Sequence, residues 1–467
     1  MKKQRIKNLN SIDLESVEMT FDIIKYVINR LSDTKGILGN PKSEEQLKEL
    51  VGETITEDGI GGEKALELFR DVLSKATISE DHPRNLAFVP AAPSKASILF
   101  DLVTAASSIH GAYWMMGAGG IFCENEAMRW LVSNTGLPES AFGVFTSGGT
   151  AANLSAMLAA REVWLEKSEI NKTLKSLLIT SNGAHSSIKQ MAKVLGSDVI
   201  LVEDGDNDNM NGEKLNEVIK GLQPYDYQRL FAVVATSGTT NAGIIDELDE
   251  IAEVCKKHNI WFHVDGAYGG AAIVVPELKP LFKGIEKADS ITIDPHKWLF
   301  TPYDCGAIIY RDIEQAKRAH TQKGTYLEIF KDEGARGFNP SDYQLQLSRR
   351  TRGMPLWFSI AMHGTKAYEN AVRYGVTIAK KSADLIKERD YLRLIREPSL
   401  SVVLFQRKGW EYKDYTNWTY ENLQKGFALV TPTTWTKNGS EEVVARFCFI
   451  NPETTIDDVK AILDSME

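Results

Sequence analysis

A chain of 467 residues, 43% hydrophobic and 25% charged, has the make-up of a soluble globular protein and is long enough for two or three subdomains. Its formal net charge of -9 argues against nucleic acid or an anionic membrane as the main partner, and no apolar run reaches the roughly 18 residues of a membrane span. The scattered Cys123, Cys255, Cys305 and Cys448 form no Cys-x-x-Cys pair. They read as buried thiols of a cytoplasmic protein, with no disulfide frame and no metal site expected.

In chain order, apolar residues at helical spacing predict helices over Leu14 to Leu31, Glu45 to Val51 and Lys64 to Leu73. This N-terminal segment, residues 1–85, lacks the makings of its own core and is expected to pack on a neighbour or a second subunit. Gly117-Ala118-Gly119-Gly120 has no strand–GxGxxG–helix context and reads as a flexible loop. The middle of the chain alternates short apolar runs with helix-like stretches. The runs are Leu177 to Thr180, Asp198 to Val202, Leu230 to Thr236, Trp261 to Asp265, Ile291 to Ile293 and Ala307 to Tyr310, with helices over Ala151 to Lys167 and Glu247 to His258. That alternation predicts an α/β fold with a mostly parallel sheet covered on both faces, here assigned to residues 86–355. A long helical pattern, Trp357 to Glu388, then opens a small α+β region over residues 356–467, with strands expected at Ser401 to Gln406 and Val443 to Ile450.

The polar motifs stand where such strands end, the usual ligand-binding edge of α/β sheets. Thr146-Ser147-Gly148-Gly149-Thr150 leads into a helix; glycines and free N-terminal amides there suit either a phosphate or an ordinary capped turn. His185 follows the Leu177 strand, where an imidazole can lie on an aromatic ring and serve as a catalytic proton-transfer group, or be a structural side chain. Thr236 to Asn241 is a hydroxyl-rich turn at another strand end. Asp265 ends the Trp-Phe-His-Val strand, and a carboxylate there needs a partner such as a protonated pyridine nitrogen, or a turn to cap. Asp294-Pro295-His296-Lys297-Trp298 closes the series. A lysine beside a second cation and apolar side chains loses its proton more readily and becomes an amine nucleophile.

Taken together, these motifs resemble the group II pyridoxal-phosphate-dependent amino acid decarboxylases, from about His82 to the C-terminus. The resemblance implies the fold type I, aspartate aminotransferase-like architecture, pyridoxal 5'-phosphate as cofactor and a homodimer with active sites at the interface. It makes Lys297 the Schiff-base lysine, Asp265 the partner of the pyridine nitrogen, His185 the ring-stacking residue and Thr236 its neighbour. Gly149, Thr150 and His296 resemble the phosphate contacts, and Arg446 the arginine near the substrate carboxylate. A mobile catalytic loop is expected near residues 325–347. The family's protonating tyrosine sits in that loop, and Tyr343, Tyr326 or neither fills its place. If neither does, an aldehyde synthase activity becomes the alternative, with aminotransferase chemistry on the same fold beside it. Phe88, Tyr113 and Trp114 lie in apolar segments without Lys or Arg, which suggests a pocket for an apolar or aromatic amino acid. Ala91 stands where some aromatic decarboxylases carry a hydroxyl.

Overall fold

The computed structural model describes residues 12, 14–33, 36–39, 41–167, 169–205, 207–322, 324, 325, 327, 329, 337–437 and 439–467. Its elements run α1 (Leu14–Ser32), α2 (Glu44–Val51), α3 (Gly62–Leu68), α4 (Lys95–Ala106), α5 (Trp114–Thr135), β1 (Phe142–Thr146), α6 (Gly149–Glu166), β2 (Leu177–Ser181), α7 (Ser186–Leu195), β3 (Asp198–Val202), α8 (Gly212–Gly221), α9 (Pro224–Arg229), β4 (Leu230–Thr236), α10 (Leu248–His258), β5 (Trp261–Asp265), β6 (Ser290–Ile293) and β7 (Gly306–Tyr310). After these come α11 (Ile313–His320), α12 (Met354–His363), α13 (Thr365–Lys387), β8 (Leu392–Leu394), β9 (Val402–Arg407), α14 (Tyr412–Gln424), β10 (Thr431–Lys437), β11 (Ser440–Cys448) and α15 (Ile456–Asp464).

Seven strands form the main sheet in the order β1-β7-β6-β5-β4-β2-β3. All are mutually parallel except β7, which runs antiparallel to both β1 and β6. The inner strands β2, β4, β5, β6 and β7 are buried along their whole length, as parallel strands covered on two faces must be. Two apolar clusters flank the sheet, one around Phe262, Val264, Ile291 and Trp298, the other around Ala156, Met157, Trp164 and Ile308. The smaller antiparallel sheet, β10-β11-β9-β8, carries a separate cluster with Phe405, Phe447 and Phe449 against α13, α14 and α15. Leu86 belongs to this second core, because its backbone bonds to Leu429 and Cys448 stitch residues near 86 to the C-terminal sheet.

Three sequence expectations change. Gly117–Gly120 is helix, not loop: Gly117 kinks α5 with φ -136, ψ 30, and a Cβ on Gly120 would stand 2.9 Å from Thr351 Cγ2. The glycines serve close packing, which composition alone cannot separate from flexibility. The single long pattern from Trp357 splits into α12 and α13 at Gly364, whose φ of 77 ends a helix at low cost. Strand β1 escapes the sequence pattern because Phe142-Gly143-Val144-Phe145 is short and interrupted by glycine. That glycine is required, since a Cβ would meet the Ile308 carbonyl oxygen at 2.2 Å.

Candidate active site

Parallel strands end on one edge of their sheet, so β1, β2, β4, β5 and β6 deliver their C-terminal loops to one place. Gly149, Thr150, His185, Thr236, Asp265, His296 and Lys297 all line one cavity there, of about 670 Å³. Thr236 and Asp265 are register partners across β4 and β5, which fixes their spacing without any help from the loops.

The turn after β1 depends on Gly148, at φ 137, where a Cβ would stand 3.0 Å from His296 Cε1. The next residue, Gly149, opens α6, so the first free amides of that helix face the cavity wall shared with His296. His296 Nδ1 accepts the Cys305 N–H at 3.0 Å, leaving Nε2 to carry the proton in the neutral ring. His185 caps α7, and its Nδ1 accepts the Ser187 N–H at 3.2 Å; in the neutral ring the proton again sits on Nε2. Thr236 Oγ1, Ser237 Oγ and Asp294 Oδ1 are buried without a protein partner. Polar atoms in that state call for a ligand or water.

Lys297 does not sit beside a cation, as the sequence suggested. Its Nζ lies 2.9 Å from Asp294 Oδ2. Burial pulls the Lys297 pKa down, but Asp294 and, less strongly, Asp265 outweigh it and hold the ammonium above its ordinary range. Burial, with Lys297 adding to it, pushes His296 below its own range despite Asp294. The residue after Lys297, Trp298, is fully buried and stacked on Tyr268 at 5.4 Å, which fixes the backbone that presents the lysine.

Asp265 is buried at the end of β5, and burial raises its pKa; the Ala267 N–H, Lys297 and Asn153 act the other way. Its Oδ1 accepts the Ala267 N–H at 3.1 Å and its Oδ2 the Asn153 Nδ2–H at 2.9 Å. Sequence reasoning missed Asn153, although its position four residues after Gly149 places it on the same helical face. Behind it, His263 is completely buried and pushed down to about 3, burial being the cause. A histidine with a depressed pKa stays neutral in the folded chain while the unfolded chain takes up a proton. Stability is therefore whole above pH about 6.5 and lost as pH falls toward 3, at about 1.4 kcal/mol per pH unit. Urea titrations at pH 7 and pH 5 should show this loss in the wild type and a smaller one in His263→Gln. Equal losses in both would rule the histidine out as a source.

The structure does not bring every expected residue here. Tyr343 stacks on Phe338 at 4.6 Å inside the apolar cluster with Val144 and Tyr310; burial pushes its phenol up to about 12, and it does not line the cavity. Tyr326 lies outside the described residues, as does much of the expected loop; Leu345 and Gln346, near its end, do line the cavity. Phe88 is exposed, and Tyr113 is buried in a small cluster with Ala112 and Leu327; neither these two nor Trp114 lines the cavity of this chain. Arg446 is buried on β11 and donates to the carbonyls of Phe88 at 2.6 Å and Thr240 at 2.7 Å. It thus backs Thr240, a cavity residue, without lining the cavity itself.

A phosphorylated pyridine aldehyde fits this constellation. A lysine amine is available for its carbonyl, a buried carboxylate for its ring nitrogen, and a helix N-terminus with a glycine turn for its phosphate. Such a sheet edge and lysine define a fold type I pyridoxal-phosphate enzyme. The pyridoxal-dependent decarboxylase conserved domain matches residues 45–408. Aromatic-L-amino-acid decarboxylase of Bacillus atrophaeus is 30% identical over 98% of this chain and 96% of that protein. L-2,4-diaminobutyrate decarboxylase of Acinetobacter baumannii is 28% identical over 95% and 90%. The crystal structure of Oryza sativa TDC with PLP and tryptamine shares the fold, with a TM-score of 0.89, 21% identity and coverage of 98% and 99%. The chain belongs to the pyridoxal-dependent decarboxylase family and is a carboxy-lyase that uses pyridoxal phosphate.

Proposed function

We propose that the chain decarboxylates a neutral, apolar or aromatic L-amino acid to its amine and carbon dioxide. One observation carries the choice: among the described residues lining the cavity, Lys297 is the sole lysine or arginine, and Asp294 already engages it. Among the described residues of this cavity an acidic substrate side chain would meet no free counter-ion, and burying a carboxylate unpaired is costly. The Bacillus atrophaeus relative supports the aromatic end of this range.

Bound pyridoxal phosphate supplies the electron sink for the pair left behind when carbon dioxide departs. In this reading Lys297 would provide the amine that holds the cofactor. Asp265 would keep a proton on the ring nitrogen, while His185 and Thr236 would hold the ring. Gly149, Thr150 and His296 receive the phosphate, and Arg446 supports the substrate carboxylate through Thr240. Phe88, Tyr113 and Trp114 enter as substrate residues supplied at an interface between two copies. Exposed Phe21, Ile28, Leu102, Met115, Met116 and Phe122 support such a dimer, since a monomer seldom leaves so much large apolar surface in water. A cytoplasmic location completes the reading.

A panel of amino acids assayed for carbon dioxide and amine tests it. Phenylalanine, tyrosine, tryptophan or leucine should turn over; faster release from glutamate or 2,4-diaminobutyrate would overturn the substrate class. The buried position of Tyr343 favours one second reading, the aldehyde synthase. In that case one dioxygen and one water are consumed, and aldehyde, carbon dioxide, ammonia and hydrogen peroxide appear in place of amine.

Asp294 makes a separate prediction. Its carboxylate holds a proton on Lys297 and stands 2.9 Å from where a Cβ of Gly149 would be, close to the expected phosphate. Asp294→Asn should therefore speed capture of pyridoxal phosphate by the apoenzyme at neutral pH, by about tenfold for each pH unit by which the lysine's titration midpoint falls. Stopped-flow absorbance reads this directly. Slower capture would mean that the ion pair chiefly aims the amine.

A further inference from the structure

Trp261, His263 and Asp265 alternate along β5 and so share one face of the sheet. A line of hydrogen bonds runs over that face. Trp261 Nε1–H donates to Ser290 Oγ at 2.9 Å, and Ser290 Oγ lies 2.8 Å from His263 Nδ1. His263 Nε2 lies 3.0 Å from Asn153 Oδ1, and Asn153 Nδ2–H donates to Asp265 Oδ2 at 2.9 Å. All five side chains are buried.

The two ends fix the direction of every link. Indole N–H can only donate, so Ser290 Oγ accepts from Trp261 and spends its own proton on His263 Nδ1. An ionised carboxylate can only accept, so Asn153 turns its amide N–H to Asp265 and its oxygen to His263. A neutral imidazole that accepts at Nδ1 must donate at Nε2, which is what the Asn153 oxygen requires. Burial holds His263 neutral, so it brings no charge of its own beside Asp265. The charged groups that face Asp265 are Lys297, which favours its ionised form, and Asp294, which opposes it; both stand on the loop after β6.

We propose that Ser290, His263 and Asn153 are positioning residues: a one-way donor relay that keeps Asp265 ionised and aimed, and thereby sets the basicity of the cofactor's ring nitrogen. The inference rests on the role given to Asp265 under the proposed function. Without an aligned donor, a buried carboxylate drifts toward its neutral form, and a neutral partner no longer holds the ring proton.

The test uses holoenzyme loaded with pyridoxal phosphate carrying nitrogen-15 in its ring, with the nitrogen resonance followed from about pH 6 to pH 9, a window around the working range of enzyme acids and bases. The wild type should remain pyridinium throughout. Asn153→Ala should bring the deprotonation midpoint down into the window, by about one pH unit or more, through loss of the donor to Asp265. Ser290→Ala, the mildest change and the one furthest from the cofactor, should move it the same way by less. It keeps the test open if Asn153→Ala fails to fold. With substrate, kcat should fall about tenfold for each pH unit that the midpoint drops, while KM stays nearly constant. A ring nitrogen that stays protonated in every folded variant would overturn the relay. That nitrogen readout needs no substrate, so it stands whatever the carbon dioxide panel shows. A nitrogen already unprotonated in the wild type would instead remove the role given to Asp265.

Discussion

Lys297→Ala is expected to abolish the visible absorption band of the bound cofactor and to lower carbon dioxide release by at least about 10²–10⁴-fold, the share a positioned proton-transfer group alone contributes. Lys297 is the sole lysine lining the cavity among the described residues, so no other amine among them stands ready to replace it. The backbone should not suffer, because Trp298 and Tyr268 hold this loop through their stacked rings, independently of the lysine side chain. The variant should still bind pyridoxal phosphate, since the α6 N-terminus, His296 and Asp265 remain, and it should lose only the covalent link. Borohydride reduction followed by peptide mapping separates the two: wild type carries the label on the peptide containing Lys297, and the alanine variant carries none. Lys297→Arg refines the result. It keeps a cation for Asp294 but offers no usable amine, so it should match alanine in activity while retaining the stability of the ion pair. A borohydride-fixed label on a different lysine in Lys297→Ala would sink the assignment.

Replacing Glu124 by leucine should cost about 3–5 kcal/mol of stability. Glu124 sits on α5 and takes two N–H groups of Arg349, from Nη1 and Nη2, both at 2.7 Å, plus the Gly353 N–H at 2.9 Å. The Arg349 side chain is wholly inaccessible and also donates to the carbonyls of Gly111 at 2.6 Å and Phe145 at 3.3 Å. This cluster joins α5, the end of β1 and the chain leading into α12, and so closes one side of the main core. Loss of the carboxylate strands a guanidinium with no route to water. That penalty, not the attraction itself, dominates the expected cost. The double variant Glu124→Leu/Arg349→Met should recover most of it, because no charge is then left unpaired. Urea unfolding of the two single variants and the double variant measures the cycle. A single-variant loss under about 1 kcal/mol, the scale of an exposed pair, would show that water reaches the arginine.

Much of the site is legible in the chain itself. Strand ends place chemistry, and the sequence writes most of them plainly: β-branched or aromatic runs, then a hydroxyl, histidine, aspartate or lysine. His185, Thr236, Asp265 and Lys297 each follow that rule, Gly149 follows the one strand that the pattern misses, and the sheet brings all five to one cavity. The rule fails where a residue's role depends on what lies across from it. Asn153 sits inside a helix and resembles any other polar helical residue. His263 reads as a chance polar break in an apolar strand. Gly120 and Gly143 look like flexibility, yet both are places where another segment presses too close for a Cβ.

Local patterning thus determined the α/β alternation, the order of the strand-end motifs and the position of Lys297 just after β6, because those follow from residue type and spacing of 2 or 3.6 along one chain. Only the tertiary structure decided the company each group keeps. It drew Asn153 between His263 and Asp265. It also placed Tyr343 in an apolar cluster away from the cavity. Charge, hydrogen-bond direction and burial arise between segments distant in sequence, and it is those contacts that set the protonation of the residues to which the sequence points.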